Sequence, residues 1–552
     1  MKLRDYQQEC SNAVWKELGE NEMQSTLVVL PTGGGKTIVF SDVIRRFQPM
    51  RCLVLAHREE LIWQARDKIE RVTGLHCEIE MADLRAQENL FHGATKSPVV
   101  ISTIQTQISG CDGKGRMSKF NPMEFALVVV DEAHHSVGDS YVKVLDYYKS
   151  NPDIRILGVT ATPDRADEEA LGQIFQSVAF DYEILDAIQN GWLVNIMQQS
   201  VHIAGLDFSS IRTTAGDLNG ADLAAVMETE KNLHGVATAT VEMLGARRAI
   251  AFTVSVNQAE ILCEIFNRHR QTMAEWVCGE TPKDQRREIL QRFKEGKTQV
   301  VVNCGVLTEG FDDAGVEVIV MARPTKSRSL FAQMVGRSTR PLEGIVDPFE
   351  TKEERLRAIE TSSKPFCTVL DFIGNTGKHK LISAADILGG KVSDEAVEAT
   401  ILKVKQAGKA VPVTELLEEE EKRLQEEAKQ RRLLEEARRA KLVAKAKYTT
   451  KIVNPFDVWD ISPGKSRGWD SGKQLSEKQK AVLLKQGINT DGMPYVQAHQ
   501  LLMEQFRRWD QKLCSFKQSA FFKKRGMNPN VSREEAKRII DEISKKEGWG
   551  GK

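Results

Sequence analysis

The sequence predicts an α/β protein: two tandem parallel-sheet lobes, then a long charged helix, then a small all-α tail with an internal repeat. The first observation behind this is a series of short β-branched runs, TLVVL from Thr26, CLVLA from Cys52, VVIS from Val99, ALVVV from Ala126 and RILGVT from Arg155, separated by helix-length patterns. Such runs alternating with helices mark βαβ units and a parallel sheet buried on both faces. A second series follows, with AIAFTV from Ala249, AEWVC from Ala274, QVVVN from Gln299, VEVIVMA from Val316 and FCTVLDF from Phe366. Two series predict two lobes, placed at residues 1–200 and 201–390. At 552 residues with 41% hydrophobic content, the chain can support several cores.

Composition changes sharply after the second series. Residues 391–463 form a spacer whose centre, Thr414 to Lys447, carries acids early and bases late. Pairs at i,i+4 such as Glu418 with Lys422, Glu419 with Arg423, Glu427 with Arg431 and Glu435 with Arg439 favour one long helix. Leu417, Leu424 and Leu434 also leave a coiled-coil partner surface open, although their spacing slips after Leu424. Residues 464–552 hold the repeat: SEKQKAVLLKQGIN from Ser476 aligns with SFKQSAFFKKRGMN from Ser515, each copy reading as helix, Gly-Asn turn, helix. Trp459, Trp469, Trp509 and Trp549 lie in or beside this tail, which argues for a folded unit.

The net charge is zero, with 77 basic and 77 acidic residues, but it is unevenly distributed. From Gly464 onward about 19 Lys/Arg stand against about 10 Asp/Glu, which fits a solubilising surface, a grip on nucleic acid or a docking site for a protein partner within 414–552. Nine scattered cysteines without a close CxxC pair suggest neither a zinc site nor a disulfide framework. The N-terminus lacks an apolar core of signal-peptide length and no run is long enough to span a bilayer, so the expectation is a cytoplasm-like compartment without membrane contact.

Chemistry begins at Pro31-Thr32-Gly33-Gly34-Gly35-Lys36-Thr37, between a strand and a helix. Glycines allow backbone N–H groups to wrap phosphates, Lys36 supplies a point charge, and the Thr37 hydroxyl can ligate Mg²⁺. The strict pattern asks for glycine where this chain has Leu30. After the strand ALVVV comes Asp131-Glu132-Ala133-His134, in which Asp131 can hold the metal and Glu132 can activate water. His134 and His135 together could suggest a metal pair, but neighbouring side chains are expected to point apart, and no third ligand stands at a useful spacing.

With these motifs in order, Met1 to about Leu388 resembles the superfamily 2 helicases, whose lobes are RecA-like and whose cofactors are ATP and Mg²⁺. LRDYQ from Leu3 resembles the family's adenine-side motif, which makes Gln7, with Arg4, the candidate for reading the base. AHREEL and STIQT resemble segments laid along the nucleic-acid backbone, implicating His57, Arg58, Thr103 and Gln105. Thr160-Ala-Thr-Pro163 resembles the motif coupling nucleotide to strand. Thr308-Glu-Gly-Phe-Asp312 resembles the next motif, with Thr308 toward nucleic acid and Gly310 and Asp312 toward nucleotide. Gln333 to Arg340 resembles the last, implicating Gln333, Arg337 and Arg340 in catalysis. Leaving phosphate needs positive charge, and two arginines three apart on one helix face could supply it across a closed cleft. Lys326 and Arg328 fit either phosphate contact or solvation.

GDLNGADL from Gly216 and VLDFIGNTGKHKL from Val369 look closest to XPB-like and phage UvsW-like DNA translocases. That resemblance implies DNA as the track, single-stranded, forked or branched. An RNA helicase, or a motor subunit of a restriction-like complex without unwinding of its own, stays open.

Overall fold

Every run in the two series becomes a strand, because each is mostly apolar and β-branched and needs cover on both sides of its sheet. The computed structural model describes residues 3–57, 59–86, 96–110, 115–161, 165–214, 216–308, 310–377, 379–443 and 454–547. Among them the first sheet has seven strands, in the order Cys77–Glu80, Val99–Thr103, Arg51–Ala56, Phe125–Asp131, Arg155–Thr160, Ser25–Val29, Ser177–Asp181, all parallel. The strand ending in Thr160 lies between those that lead into the glycine-rich loop and into Asp131. Loops leaving the same ends of adjacent parallel strands converge on one edge, the usual place for a site in an open α/β sheet.

The second sheet runs Ala274–Val277, Val300–Asn303, Ala249–Phe252, Val318–Met321, Phe366–Asn375, Asn195–Asp207, Val411–Pro412, parallel except for the last pair. Two features depart from the sequence-based boundaries. The second sheet takes a strand from Asn195, ahead of the expected break at 200, and another from Val411–Pro412 inside the expected spacer.

The charged helix spans Val413–Val443, and its beginning is not free-standing. Val413, Leu417 and Glu420 are buried against the lobe, so Leu417 belongs to a core and not to a coiled-coil stripe, whereas Leu434 is 71% exposed. Arg423 pairs with Glu420 and Glu427 instead of Glu419, because Glu420 is the buried carboxylate and Lys403 already approaches it at 2.5 Å. The chain divides near Glu427 into a two-lobe unit and a smaller one that contains the tail. No helix among the described residues is long and apolar enough to cross a membrane.

In the tail each repeat opens with the same capping box: Ser476 with Gln479, and Ser515 with Gln518. Each first helix ends before a left-handed glycine, Gly487 (φ 88°) or Gly526 (φ 69°), a conformation that a Cβ would strain. The helix pairs are Glu477–Lys485 with Tyr495–Asp510, and Phe516–Lys524 with Arg533–Glu547. Arg508 joins them. Only 1% exposed, it donates to Asn530 Oδ1 (2.5 Å), Ser519 Oγ (2.8 Å), the Pro529 carbonyl (2.9 Å) and the Cys514 carbonyl (3.2 Å).

Replacing Arg508 with leucine leaves those acceptors buried without their donor, at a cost of about 3 kcal/mol. Tryptophan fluorescence should then show the tail melting at least about 10 °C lower, while the transition of the two-lobe unit stays in place. One common transition moving as a whole would contradict separate cores.

Candidate active site

The glycine-rich loop follows Ser25–Val29 and leads into the helix Lys36–Arg46. Gly33 (φ 87°) and Gly35 (φ 78°) are left-handed, which curls the loop and leaves the first N–H groups of the helix without a side-chain cap. Such a terminus is built to receive an anion. The cradle is close-fitting: a Cβ on Gly34 would sit 3.0 Å from the Pro31 carbonyl, and one on Gly35 would overlap Gln7.

Lys36 Nζ lies 2.6 Å from Glu132 Oε1, so the cation expected for phosphate and the carboxylate expected for water meet directly. Glu132 is itself in the left-handed region (φ 50°, ψ 55°), a conformation costing about 1 kcal/mol or more in a non-glycine residue. Its N–H donates to Asp131 Oδ1 at 3.0 Å, which helps to hold the turn. His134 Nδ1 lies 3.1 Å from Thr160 Oγ1 and 3.5 Å from Glu132 Oε2, tying the site to the next strand. His134 and His135 do not point apart as expected: both belong to the 3₁₀ turn Ala133–Val137, whose tight winding brings their ring centroids within 4.1 Å. Thr37, in the first turn of its helix, and Asp131, at the end of its strand, are the hydroxyl and carboxylate suited to Mg²⁺.

Gln7, the candidate for reading the base, is 3% exposed and donates to the Gly34 carbonyl at 3.2 Å, as does the Tyr6 hydroxyl at 2.8 Å. Its Oε1 accepts from the Arg4 N–H at 3.1 Å. Burial raises the Tyr6 phenol above its ordinary range, keeping it a neutral donor. Arg4 is engaged across the cleft, 2.8 Å from Asp347 and 4.6 Å above the Trp192 ring. Both residues therefore brace the loop and the lobes. An aromatic group missed in the sequence surrounds them: Tyr6 stacks on Tyr182 at 4.7 Å, and Trp192 lies against Arg355 at 3.9 Å. Nothing in the local sequence separates these rings from ordinary core aromatics.

From the second lobe, Gly336 and Arg340 reach the loop. A Cβ on Gly336 would sit 2.5 Å from Thr32 Cβ, and Arg340 Cγ stands 3.3 Å from where Gly33 would carry one. Arg340 also pairs with Asp312. Gln333 is buried on the helix Arg328–Val335, but Arg337 and Arg340 lie beyond its end, contrary to the one-face expectation. Ser338 and Thr339 turn their hydroxyls back onto the carbonyls of Val335 and Gly336, which competes with continued helix. Arg337 consequently points into its own lobe, donating to the carbonyls of Phe311 (2.5 Å) and Thr308 (2.6 Å).

Two further contacts span the cleft from the helix Glu59–Thr73: Gln64 donates to the Gly310 carbonyl, and Glu59 meets Lys283 at 2.6 Å. One turn beyond Gln64, burial lowers the Lys68 ammonium from its usual range, while Asp312 and Asp131 oppose the shift and Arg340 reinforces it. No sequence signal marks Lys68, because a lone lysine on a charged helix looks solvated.

The strand-side candidates divide. Thr103 is buried and caps its helix, accepting from the Thr106 N–H at 3.1 Å, whereas Gln105 is exposed. His57 is partly exposed and stacks on His135, Thr308 is buried, and Arg58 lies outside the described residues, as do Thr162, Pro163 and Glu309. Lys326 donates to Thr213 Oγ1 at 3.2 Å.

The family model described as "Type III restriction enzyme, res subunit" matches residues 1–165, and "Helicase conserved C-terminal domain" matches residues 235–341. The chain is 28% identical over 517 residues to the putative ATP-dependent helicase IRC3 of Saccharomyces cerevisiae, covering 90% of this chain and 70% of that protein. It is 24% identical over 376 residues to the DNA 3'-5' translocase XPB2 of Sulfurisphaera tokodaii, covering 62% of this chain and 79% of that protein. Among solved structures, the ATP-dependent Type ISP restriction-modification enzyme LlaBIII bound to DNA shares the fold, with a TM-score of 0.51 and 18% identity over 73% of this chain and 30% of that one.

The backbone bearing Arg340 is held by Lys364, 2% exposed, which donates to the carbonyls of Arg340 (2.6 Å) and Ala314 (2.7 Å). Burial pushes its ammonium down from 10.5 to about 8. Between those values the unfolded chain binds more protons than the folded one, so this group's contribution to stability rises with pH. The stability of the wild type minus that of Lys364→Met, followed by urea titration from pH 7 to pH 10, should rise by on the order of 3 kcal/mol over the full span. A gap independent of pH would show that Lys364 keeps an ordinary affinity for its proton.

Proposed function

Because the chain belongs to the superfamily 2 helicases and is a nucleic-acid-dependent ATP hydrolase, we propose that it is a DNA translocase in which closure of the two lobes completes the hydrolytic site. The observation that carries this reading is the approach of Arg340, from the second lobe, to Gly33 of the phosphate loop. Hydrolysis needs positive charge on the departing phosphate, and a charge supplied from the other lobe makes turnover depend on closure.

In this reading the N–H groups around Gly33–Lys36 cradle the phosphates, and Lys36 exchanges Glu132 for a phosphate oxygen. Glu132, once released, orients and deprotonates the attacking water, with His134 and Thr160 holding its position. Thr37 and Asp131 would hold Mg²⁺, whose charge offsets that of the phosphates. Arg337 braces the carbonyls of Thr308 and Phe311 from within its own lobe, and Gln333 lies buried on the helix that precedes it.

DNA is favoured as the track by the likeness to XPB2, named a DNA translocase. A second reading, a motor subunit within a restriction-like assembly, draws support from the family model over residues 1–165 and its description. The free cysteines among the described residues suit a reducing, cytoplasm-like compartment. The tail, with its basic excess, serves as a second grip on nucleic acid. Trp509 and Phe506, 41% and 40% exposed, are its available stacking rings, while Phe516 is buried against Trp459 and so is removed from that role.

ATP hydrolysis measured with single-stranded, duplex and forked DNA and with RNA distinguishes the tracks: forked or single-stranded DNA should stimulate most, and stimulation by RNA alone would refute the DNA reading. Glu132→Gln should bind ATP but lose turnover by at least about a hundredfold, and Arg340→Ala should lose about as much of the stimulated rate. Near-normal turnover in either would remove that residue from the site.

Deleting residues 448–552 should leave basal hydrolysis intact while weakening DNA binding and flattening its salt dependence. An unchanged affinity and salt slope would favour partner docking by the tail.

A further inference from the structure

The histidine that follows the DEAH tetrapeptide continues a chain of contacts away from the catalytic carboxylate. His134, bonded to Thr160 and adjacent to Glu132, has its ring 4.1 Å from that of His135, tilted by 44°. His135 stacks in turn on His57, with centroids 4.5 Å apart and planes 24° from parallel. His57 directly follows the strand Arg51–Ala56, which pairs in parallel with Phe125–Asp131, Leu55 opposite Val130. The two ends of the column thus follow neighbouring, paired strands, and each ring lies against the next. His57 also lies in AHREEL, the segment assigned to the nucleic-acid backbone.

We propose that His57 and His135 are positioning residues that transmit engagement of a nucleic-acid strand beside His57 to the Glu132 carboxylate through His134. The inference rests on the proposed function, since it explains how a strand stimulates hydrolysis. Coupling travels through contiguous packed groups, and three imidazoles in contact form such a path. Glu132 is the end point where a small displacement matters: its left-handed backbone is held by the contacts around it, and its carboxylate must leave Lys36 and meet a water. The column works by shape and contact, so a planar ring of another kind in the place of His135 should serve.

The test uses the intact chain and a thymidine oligonucleotide as the strand, titrated in a steady-state ATPase assay. His135→Ala should lower the maximal stimulated kcat by about tenfold while the half-saturating oligonucleotide concentration and the KM for ATP move by less than about threefold. His135→Phe, which preserves the stacked ring, should recover most of the loss. His57→Ala should reduce the stimulated kcat similarly, and the double alanine variant should add little to either single change, as expected for residues acting in one chain. Equal behaviour of His135→Ala and His135→Phe, losses that multiply in the double variant, or an effect confined to strand affinity would each overturn the relay. A wild-type enzyme stimulated by no DNA or RNA would overturn the proposed function and the relay with it. A stimulated wild type with an unimpaired His135→Ala would overturn the relay alone.

Discussion

The close approach of Gly336 and Arg340 to Thr32 and Gly33 is the contact on which the rest of the candidate site depends, because it joins segments carried by two separate sheets. A side chain larger than hydrogen at position 336 would meet Thr32, so the second lobe can draw near enough to place Arg340 only because glycine stands there. Around this point the lobes are pinned by Arg4 with Asp347, by Gln64 donating to the Gly310 carbonyl, and by Glu59 with Lys283. Each of these is polar or charged. Such contacts can be broken and remade at modest cost, which suits the proposed closure of the lobes.

The electrostatics of the cleft follow from crowding cations near carboxylates at a low-dielectric seam. Lys36 meets Glu132, Arg340 meets Asp312, and Lys68 feels Asp131, Asp312 and Arg340 together. Lys364 lies deeper, where burial depresses its proton affinity, and its bonds to two carbonyls hold the Arg340 backbone. Arg337 shows the complementary use of a guanidinium. Turned inward by the early end of its helix, it satisfies two carbonyls of the neighbouring loop and so positions that loop from within its own lobe.

The tail repeats one local solution twice and then breaks the symmetry with a single buried cation. Capping boxes and left-handed glycines set the two helix pairs independently, through interactions within a few residues of chain. Arg508 belongs to the first pair and donates to groups of the second, with Glu504 of its own helix at 3.8 Å. The two copies thereby become one unit, while Trp509 and Phe506 remain on the surface.

Local chemistry makes much of this protein legible from its sequence. Apolar β-branched runs need burial on both faces, so both sheets can be read. That the glycine-rich loop and Asp131-Glu132 directly follow strands can be read because each is preceded by an apolar β-branched run. The tail repeat is visible because its caps are contacts between residues three apart. Contacts between residues distant in sequence are not legible. That Gln7 holds Gly34, that Arg4 crosses to Asp347, that Leu417 joins a lobe core, and that three histidines from two strands form a column are all set by how sheets and helices pack. Arg337 and Arg340 mark the boundary between the two kinds of information: their spacing suggests two cations on one helix face, yet only the end of the helix at Val335 and the packing of Gly336 on Thr32 decide that one crosses the cleft and the other turns back.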